Sequence, residues 1–280
     1  MNRIHFLPKI FVSTLFLAGI NMLAFAQKTE NVQDKSVWAS SPIKVDGKIT
    51  EDVFQASNKS TLLSYTMSND DKSLYLTIKS ADNTNNNKIM MGGITLAINT
   101  DGKKKEKDGF LLTYPVIVRA QRQRGQGGFG QRTAGGSADS AMLAMRKQQL
   151  AAAKEIKVFG FKDIQDSLIS IYNEYDVNVA ANFDEKGSFI YELAIPLKLL
   201  GLTLDSKEFA YNIKVNGLQF GGGGIRMQGD GGQGGQGGGG FGGGGQGGGF
   251  GGGGGGGRGG FDPSAFLPTD FWGKYTLAKK

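Results

Sequence analysis

The sequence contains no cysteine, and its single histidine is His5, close to the amino terminus. Disulfide bonds, thiolate nucleophiles and thiolate metal ligands are therefore excluded, since each needs a cysteine sulfur. Histidine is the commonest general base and a frequent zinc or haem ligand, so its near absence argues against triad hydrolases, zinc hydrolases and haem proteins. Chemistry that uses carboxylates alone stays open, as in glycosidases, and so does calcium bound by oxygen ligands.

The first 26 residues have the features of a bacterial secretory signal peptide. Two basic residues lead into the apolar stretch Ile10–Ile20, and the small residues Ala24 and Ala26 form a cleavage site before Gln27. The apolar stretch is shorter than the roughly 20 residues that a membrane-spanning helix needs. We therefore expect cleavage near Ala26, a mature chain without histidine or a transmembrane segment, and a periplasmic or extracellular location.

The positive charge is concentrated in two short regions. The formal net charge is +7 at pH 7, and much of the excess comes from lysines over 103–107 and arginines over 119–132. The glycine-rich tract is similar to RNA-binding segments, but over 221–260 it holds only Arg226 and Arg258, too few phosphate contacts at physiological salt. We expect no nucleic-acid partner, whereas salt-sensitive association with an anionic envelope or polysaccharide stays open.

Short stretches of alternating apolar and polar residues predict strands with one buried face. The apolar positions of four such stretches are Leu74, Leu76 and Ile78; Ile94, Leu96 and Ile98; Tyr191, Leu193 and Ile195; and Phe209, Tyr211, Ile213 and Val215. Turn sequences separate the stretches at Asp46-Gly47, Asn69-Asp70-Asp71, Asp101-Gly102 and Glu185-Lys186-Gly187. Many short strands with such turns predict an all-β protein, an antiparallel β-sandwich.

One helix is expected within this β-sandwich, over about 138–156, where alanine, leucine, methionine, glutamine and lysine dominate. Asp139 or Ser140 is placed to cap its amino terminus. Met142, Leu143 and Met145 are interpreted as core contacts.

Two glycine-rich insertions are expected to be disordered, at 119–137 and at 221–260, and the longer one has 29 glycines in 40 residues. The following residues 261–280 are too few for a domain but rich in aromatic side chains, which need burial. We therefore predict that Asp270–Ala278 is the last strand and docks beside Phe209–Gln219. The predicted organisation is a flexible amino terminus over 27–37 and a single domain over 38–280.

Four sequence blocks occur in an order typical of one family. The first block, Ile43–Phe54, matches the pattern apolar-x-apolar-Asp-Gly-x-apolar-x-Glu-x-x-aromatic. The next three blocks along the chain are Asn69–Leu76, Ile94–Asp101 and Tyr191–Leu197, and Phe271-Trp272-Gly273 completes the series. This series resembles the family 9 carbohydrate-binding-like domains, related in fold to the DOMON superfamily. The resemblance implies a β-sandwich, binding of sugar chain ends between aromatic rings, and in some members a structural calcium ion. Phe54 would pack under the first turn.

The candidate binding residues are few. Trp38 and Trp272 are the two tryptophans and our candidate ligand-binding residues, because sugar sites need flat aromatic faces. Calcium is the one cofactor that we consider, since several turn residues carry hard oxygen ligands, although their spacing is not that of an EF-hand and an ordinary hairpin corner is the preferred explanation. The candidate calcium ligands are Asp70, Asp71, Asn99, Asp101 and Asp108.

No catalytic constellation is found. Glu174 and Glu192 are the strand carboxylates that could form a glycosidase pair, but both fit solvent-facing positions, so we predict that the protein is not an enzyme. The predicted function is that of an exported binding domain for carbohydrate or cell-envelope polysaccharide. The alternative is a periplasmic or surface domain with a structural or protein-interaction role and no sugar ligand.

Overall fold

The computed structural model describes residues 29–49, 54–117, 138–217 and 267–280. Its strands are β1 Ala56–Asn58, β2 Leu63–Asn69, β3 Ser73–Ser80, β4 Ile94–Asn99, β5 Phe110–Tyr114, β6 Glu155–Phe159, β7 Leu168–Ser170, β8 Asn178–Phe183, β9 Phe189–Pro196, β10 Phe209–Val215 and β11 Thr269–Tyr275. Its helices are α1 Asn83–Gly92, α2 Ala138–Ala151 and a short 3₁₀ helix, Leu197–Leu200. The predicted signal peptide and both glycine-rich insertions lie outside the described residues.

The strands form two antiparallel sheets, which confirms the predicted all-β sandwich. Sheet A has the order β1-β2-β3-β9-β8, and sheet B has the order β11-β10-β4-β5-β6-β7. The predicted alternation is clearest in β6, where Ile156 and Val158 are buried between exposed neighbours. Every residue of the central strands β4 and β9 is buried, so side chains on both faces of these strands are covered. Within the described residues, no helix is long and apolar enough to cross a membrane.

Helix α1 was not expected from the sequence. Its residues, NTNNNKIMMG, include four asparagines, which have a weak helix propensity. The Asp82 side chain caps its amino terminus by accepting the N–H of Asn85 at 2.7 Å, and the helix buries Ile89 against the core. A local capping bond and tertiary burial therefore outweigh the poor intrinsic propensity.

Helix α2 is shorter than predicted, since it ends at Ala151 and residues 155–159 form β6. It begins at Ala138, so neither Asp139 nor Ser140 precedes it as a cap. The prediction that its methionines are core contacts is wrong, because Met142 and Met145 are 47% and 52% exposed. Leu143 does pack against the core.

The carboxy-terminal strand confirms the predicted docking. β11 pairs with β10 along its whole length, from Val215 opposite Thr269 to Phe209 opposite Tyr275. Phe271 lies 5.2 Å from the ring of Tyr65, measured between ring centroids, and so joins the aromatic core between the sheets.

Gly273 leaves space for the side chain of Tyr211, its partner on the neighbouring strand β10. A Cβ atom at this position would lie 2.3 Å from Cζ of Tyr211, much closer than van der Waals contact permits. The hydroxyl of Tyr211 is in turn bonded to the hydroxyl of Tyr65 at 2.8 Å. The absence of a side chain at 273 thus leaves room for a buried tyrosine pair.

Residues 29–39, which we call the amino-terminal strap, run along β2 with specific contacts. The side chain of Gln33 donates to the carbonyl of Met67 and accepts its N–H, both at 2.8 Å. The N–H of Gln33 donates to the Tyr65 hydroxyl at 2.8 Å, and Ser36 donates to the carbonyl of Thr276 at 2.5 Å. We expected a flexible amino terminus over 27–37; its described part, 29–37, instead connects β2 of sheet A with the residues after β11 of sheet B.

Candidate functional site

A cavity of about 590 Å³ lies on the outer face of sheet A. Met67, Leu76 and Leu193 lie in register and face the core, so the next row, Thr66, Thr77 and Glu192, faces outward. The chain segment 37–49 covers this row, and the cavity between them, which we call the Trp38 cavity, is lined by Trp38, Phe54, Thr66, Ser68, Thr77 and Glu192. The site therefore arises where a polar sheet face meets the segment before β1.

Glu192 holds the covering segment onto the sheet. Its Oε2 atom accepts the N–H of Asp46 at 2.9 Å and the N–H of Gly47 at 2.8 Å. Gly47 can turn here because glycine tolerates its φ of +75°. These bonds join the Asp-Gly block and the Tyr-Glu block of the family pattern, which thus has a structural role in this chain.

The prediction that Glu192 faces solvent is wrong, since only 4% of it is exposed. Burial raises the pKa of Glu192, although the N–H groups of Asp46 and Gly47 act in the opposite direction. Glu174, the other carboxylate of the supposed pair, is exposed in the turn between β7 and β8. The structure does not bring the two into one site: Glu192 lines the Trp38 cavity and Glu174 does not.

Two hydroxyl groups of the cavity have no hydrogen-bond partner among the described residues. Oγ1 of Thr66 accepts the N–H of Gln55 at 3.1 Å. The hydroxyls of Ser68 and Thr77 make no hydrogen bond to any other residue in the described ranges. Both are positioned on strands, so their directions are set by the pairing of β2 with β3.

Trp38 is fixed by backbone bonds on either side of it. The N–H of Ala39 donates to the carbonyl of Asn69 at 2.8 Å, and the N–H of Asn69 donates to the carbonyl of Val37 at 3.0 Å. The indole is partly buried and lines the cavity. Of the two predicted ligand residues, Trp38 is therefore the one that borders a cavity together with polar groups.

Trp272 lies elsewhere, on the outer face of sheet B. It alternates along β11 with the buried Phe271 and Gly273 and is opposite Asn212 of β10. Trp38 lies over the outer face of sheet A, so the body of the sandwich separates the two rings. Trp38 and Trp272 do not form a clamp around one ligand.

The first pair of predicted calcium ligands belongs to the turn between β2 and β3. Oδ1 of Asp70 accepts the N–H groups of Lys72 at 2.8 Å and Ser73 at 2.7 Å, and its Oδ2 accepts the Tyr75 hydroxyl at 2.7 Å. Asp71 is exposed. The carboxylate of Asp70 thus closes the turn with bonds inside the chain.

The other predicted calcium ligands lie in the loop between β4 and β5. Oδ1 of Asn99 accepts the N–H of Asp101 at 3.1 Å, and Asp101 forms an ion pair with Lys103, also at 3.1 Å. Asp108 is exposed and has a φ of +65°. In the described ranges, no three or more His, Cys, Asp or Glu residues are grouped so that they could hold a metal ion. Calcium binding stays a prediction without a preformed cluster.

The sequence reasoning did not name Ser68 and Thr77 as site residues, and it gave Phe54 only a packing role. Phe54, expected under the first turn, is partly buried and lines the cavity instead. A signal for the hydroxyls was present in β2, where Ser64, Thr66 and Ser68 alternate with buried apolar residues. The missing information was which segment covers that polar face.

Comparison with known proteins gives two solved structures, both of a family 9 carbohydrate-binding module from Caldicellulosiruptor kristjanssonii. The structure in complex with glucose is 10% identical, covers 66% of this chain and 79% of its own, and has a TM-score of 0.31. The one in complex with cellotriose is also 10% identical, covers 65% and 75%, and has a TM-score of 0.30. No protein-family profile and no curated protein matches the chain. The two modules belong to the family that the sequence blocks resemble; at this level of similarity they assign no ligand to this chain.

Proposed function

We propose that the protein is a non-catalytic carbohydrate-binding domain that takes a sugar into the Trp38 cavity. The observation that carries this proposal is the composition of the cavity: an indole, the hydroxyls of Ser68 and Thr77, which are unpaired within the described ranges, and the buried carboxylate of Glu192. A sugar ring has an apolar face that stacks on an aromatic ring and hydroxyls that need hydrogen-bond partners. The cavity offers both kinds of group within one space.

The proposed binding without turnover is supported by the roles of Asp46 and Glu192, the two carboxylates among the described residues that line the cavity. Glu192 accepts two N–H groups of the Asp46-Gly47 turn, and Asp46 pairs with Lys44 at 2.9 Å. Oδ1 of Asp46 also accepts the N–H of Lys48 at 3.0 Å. Glycoside hydrolysis needs one carboxyl group that gives a proton and a second that attacks or activates water. Both carboxylates are instead engaged in holding the turn.

The test compares the two tryptophans, one in the cavity and one on the opposite side of the sandwich. Trp38→Ala should weaken binding of oligosaccharides such as cellotriose about fivefold or more, because a lost stacking contact of this kind is worth about 1 kcal/mol or more. Trp272→Ala is the matched control and should bind as the parent does. Affinity gels or titration calorimetry measure both, with a glycan array to select the sugar.

Four outcomes would contradict the proposal. Equal binding by the Trp38→Ala variant and the parent would place the sugar elsewhere, and loss of binding only in Trp272→Ala would place it on sheet B. No retention of any sugar at about millimolar concentration, a very weak affinity, would favour the second candidate. Release of a reducing sugar by the parent protein would contradict the absence of turnover.

The second candidate is a protein-interaction domain, and three exposed apolar side chains along the edge of sheet B favour it. Phe159 at the end of β6 is 68% exposed, Leu168 of the edge strand β7 is 45% exposed, and the nearby Tyr172 is 79% exposed. Exposed apolar residues beside an open strand edge are common features of protein interfaces.

The proposal includes export. It rests on the signal-peptide features of residues 1–26, which predict that the mature chain begins at Gln27. The intact mass of the protein from its native host should correspond to 27–280. A mass that includes residues 1–26 would contradict export by this route.

A further inference from the structure

Tyr275 at the end of β11 contacts the strap next to Trp38. Its hydroxyl accepts the N–H of Val37 at 3.1 Å. The same hydroxyl lies 3.2 Å from the carbonyl oxygen of Val37 and 3.2 Å from Oδ1 of Asn69, and it can donate its single proton to either. Tyr275 is only 3% exposed, so the hydrogen bonds of its hydroxyl are shielded from water.

Asn69 connects the same place to the end of the chain. Its main chain pairs with Val37 and Ala39, on either side of Trp38. Its side chain accepts the N–H of Ala278 at 2.8 Å and donates to the carbonyl of Ala278 at 3.1 Å. Asn69 is fully buried, and its main-chain N–H, its carbonyl and its side-chain amide all form hydrogen bonds.

The geometry points to Tyr275 as the residue that positions Trp38 in its cavity. Trp38 belongs to the amino-terminal strap, which is hydrogen-bonded to Asn69 of sheet A and to Tyr275 of sheet B. The orientation of the indole therefore depends on both sheets. This inference rests on the proposed function for its meaning in binding, but the position of the indole can be measured without a ligand. Strand β11, more than 230 residues away in the sequence, thus contributes to the site through Tyr275.

The test uses the chain in which Trp272→Phe leaves Trp38 as the one tryptophan. Tyr275→Phe in this background should shift the emission of Trp38 to longer wavelength, increase its quenching by acrylamide and lower its anisotropy. If sugar binds, its affinity should fall about threefold to tenfold, the range expected from one lost hydrogen bond.

Tyr65→Phe is the matched control. Tyr65 is also a buried tyrosine whose hydroxyl accepts a strap N–H, that of Gln33, five residues before Trp38. This variant should lose comparable stability and leave the Trp38 signals unchanged. If Tyr275→Phe fails to fold, Ser36→Ala removes a neighbouring bond between the strap and Thr276 at an exposed position, and it should move the Trp38 signals in the same direction by a smaller amount.

The outcomes separate this inference from the proposed function. Unchanged emission, quenching and anisotropy in Tyr275→Phe would overturn it, and so would equal changes in Tyr65→Phe, since the whole strap would then be responsible. Changed Trp38 signals in a protein that binds no sugar would support the positioning role and count against the proposed function. Sugar binding by the parent together with unchanged signals in Tyr275→Phe would leave the proposed function standing and overturn the positioning role.

Discussion

Deletion of residues 267–280 should unfold the domain, although these are the last 14 residues of the chain. Three large side chains of this segment are almost completely buried: Phe271, Tyr275 and Leu277 are 8%, 3% and 3% exposed. Burial of each is worth about 1.5 to 3 kcal/mol, so the segment contributes about 5 to 9 kcal/mol. The whole free energy of unfolding of a domain is about 5 to 15 kcal/mol.

Deletion of 221–260 is the control, since it removes almost three times as many residues. Val215 is paired directly with Thr269, so a short connection is long enough to join β10 to β11. The deletion shortens that connection from 53 residues to 13. A connection about four times shorter lowers the entropic cost of closure by about 1 kcal/mol. We therefore expect the control to be as stable as the parent or slightly more stable.

Urea and thermal unfolding of the three proteins, together with amide exchange, measure these effects. The truncated protein should lack a cooperative transition or aggregate, because β10 would be left with an unpaired edge. Amides of β10 should be protected in the parent and in the control. A truncated protein that unfolds at the same urea concentration as the parent, with β10 still protected, would refute the reasoning. A large loss of stability in the control would instead show that the glycine-rich tract contributes to the fold.

Two further predictions concern single residues. Gly273→Ala should destabilise the protein by about 1 to 3 kcal/mol in urea unfolding, because the new Cβ would lie 2.3 Å from Cζ of Tyr211; an unchanged midpoint would contradict this packing. Burial raises the pKa of Asp70, but the Tyr75 hydroxyl and the N–H groups of its turn outweigh burial and hold that pKa below its usual value. The stabilisation from Asp70 is therefore present above its unfolded pKa, about 4, and is lost as pH falls through the lower folded pKa. Asp70→Asn should be less stable than the parent at pH 7, with a difference that shrinks towards pH 2, whereas Asp71→Asn should match the parent throughout; a difference independent of pH would contradict the assignment to the carboxylate.

Much of the fold could be predicted from local sequence. Period-two alternation of apolar residues identified β3, β4, β9 and β10, because successive side chains of a strand point to opposite faces. In β4 and β9 the residues between the apolar positions are buried as well, which the alternation did not indicate. The density of aromatic residues after the glycine-rich tract identified β11, since such side chains need burial. Helix α1 and the length of α2 were not predicted correctly, because tertiary contacts there outweigh the intrinsic preferences of the residues.

The candidate site could be predicted only in part. The sequence identified Trp38 by its side-chain type, but Trp272 has the same chemistry and lies on the other sheet. The candidate calcium ligand Asp70 has suitable oxygens, yet the turn uses them for its own N–H groups. Residue type therefore indicated which chemistry was available, and the local hydrogen bonds decided whether it was free.

Composition, strand periodicity, turn positions and the absence of histidine and cysteine chemistry after residue 26 were determined by the sequence itself, since each depends on residue types and short spacings. Three properties were decided only by the tertiary structure. It determined that Glu192 is buried under the Asp46-Gly47 turn, that Trp38 and Trp272 are separated, and that Tyr275 reaches Val37. Each of these depends on pairing between segments far apart in the chain, and such pairing is set by the packing of two whole sheets and not by any local pattern.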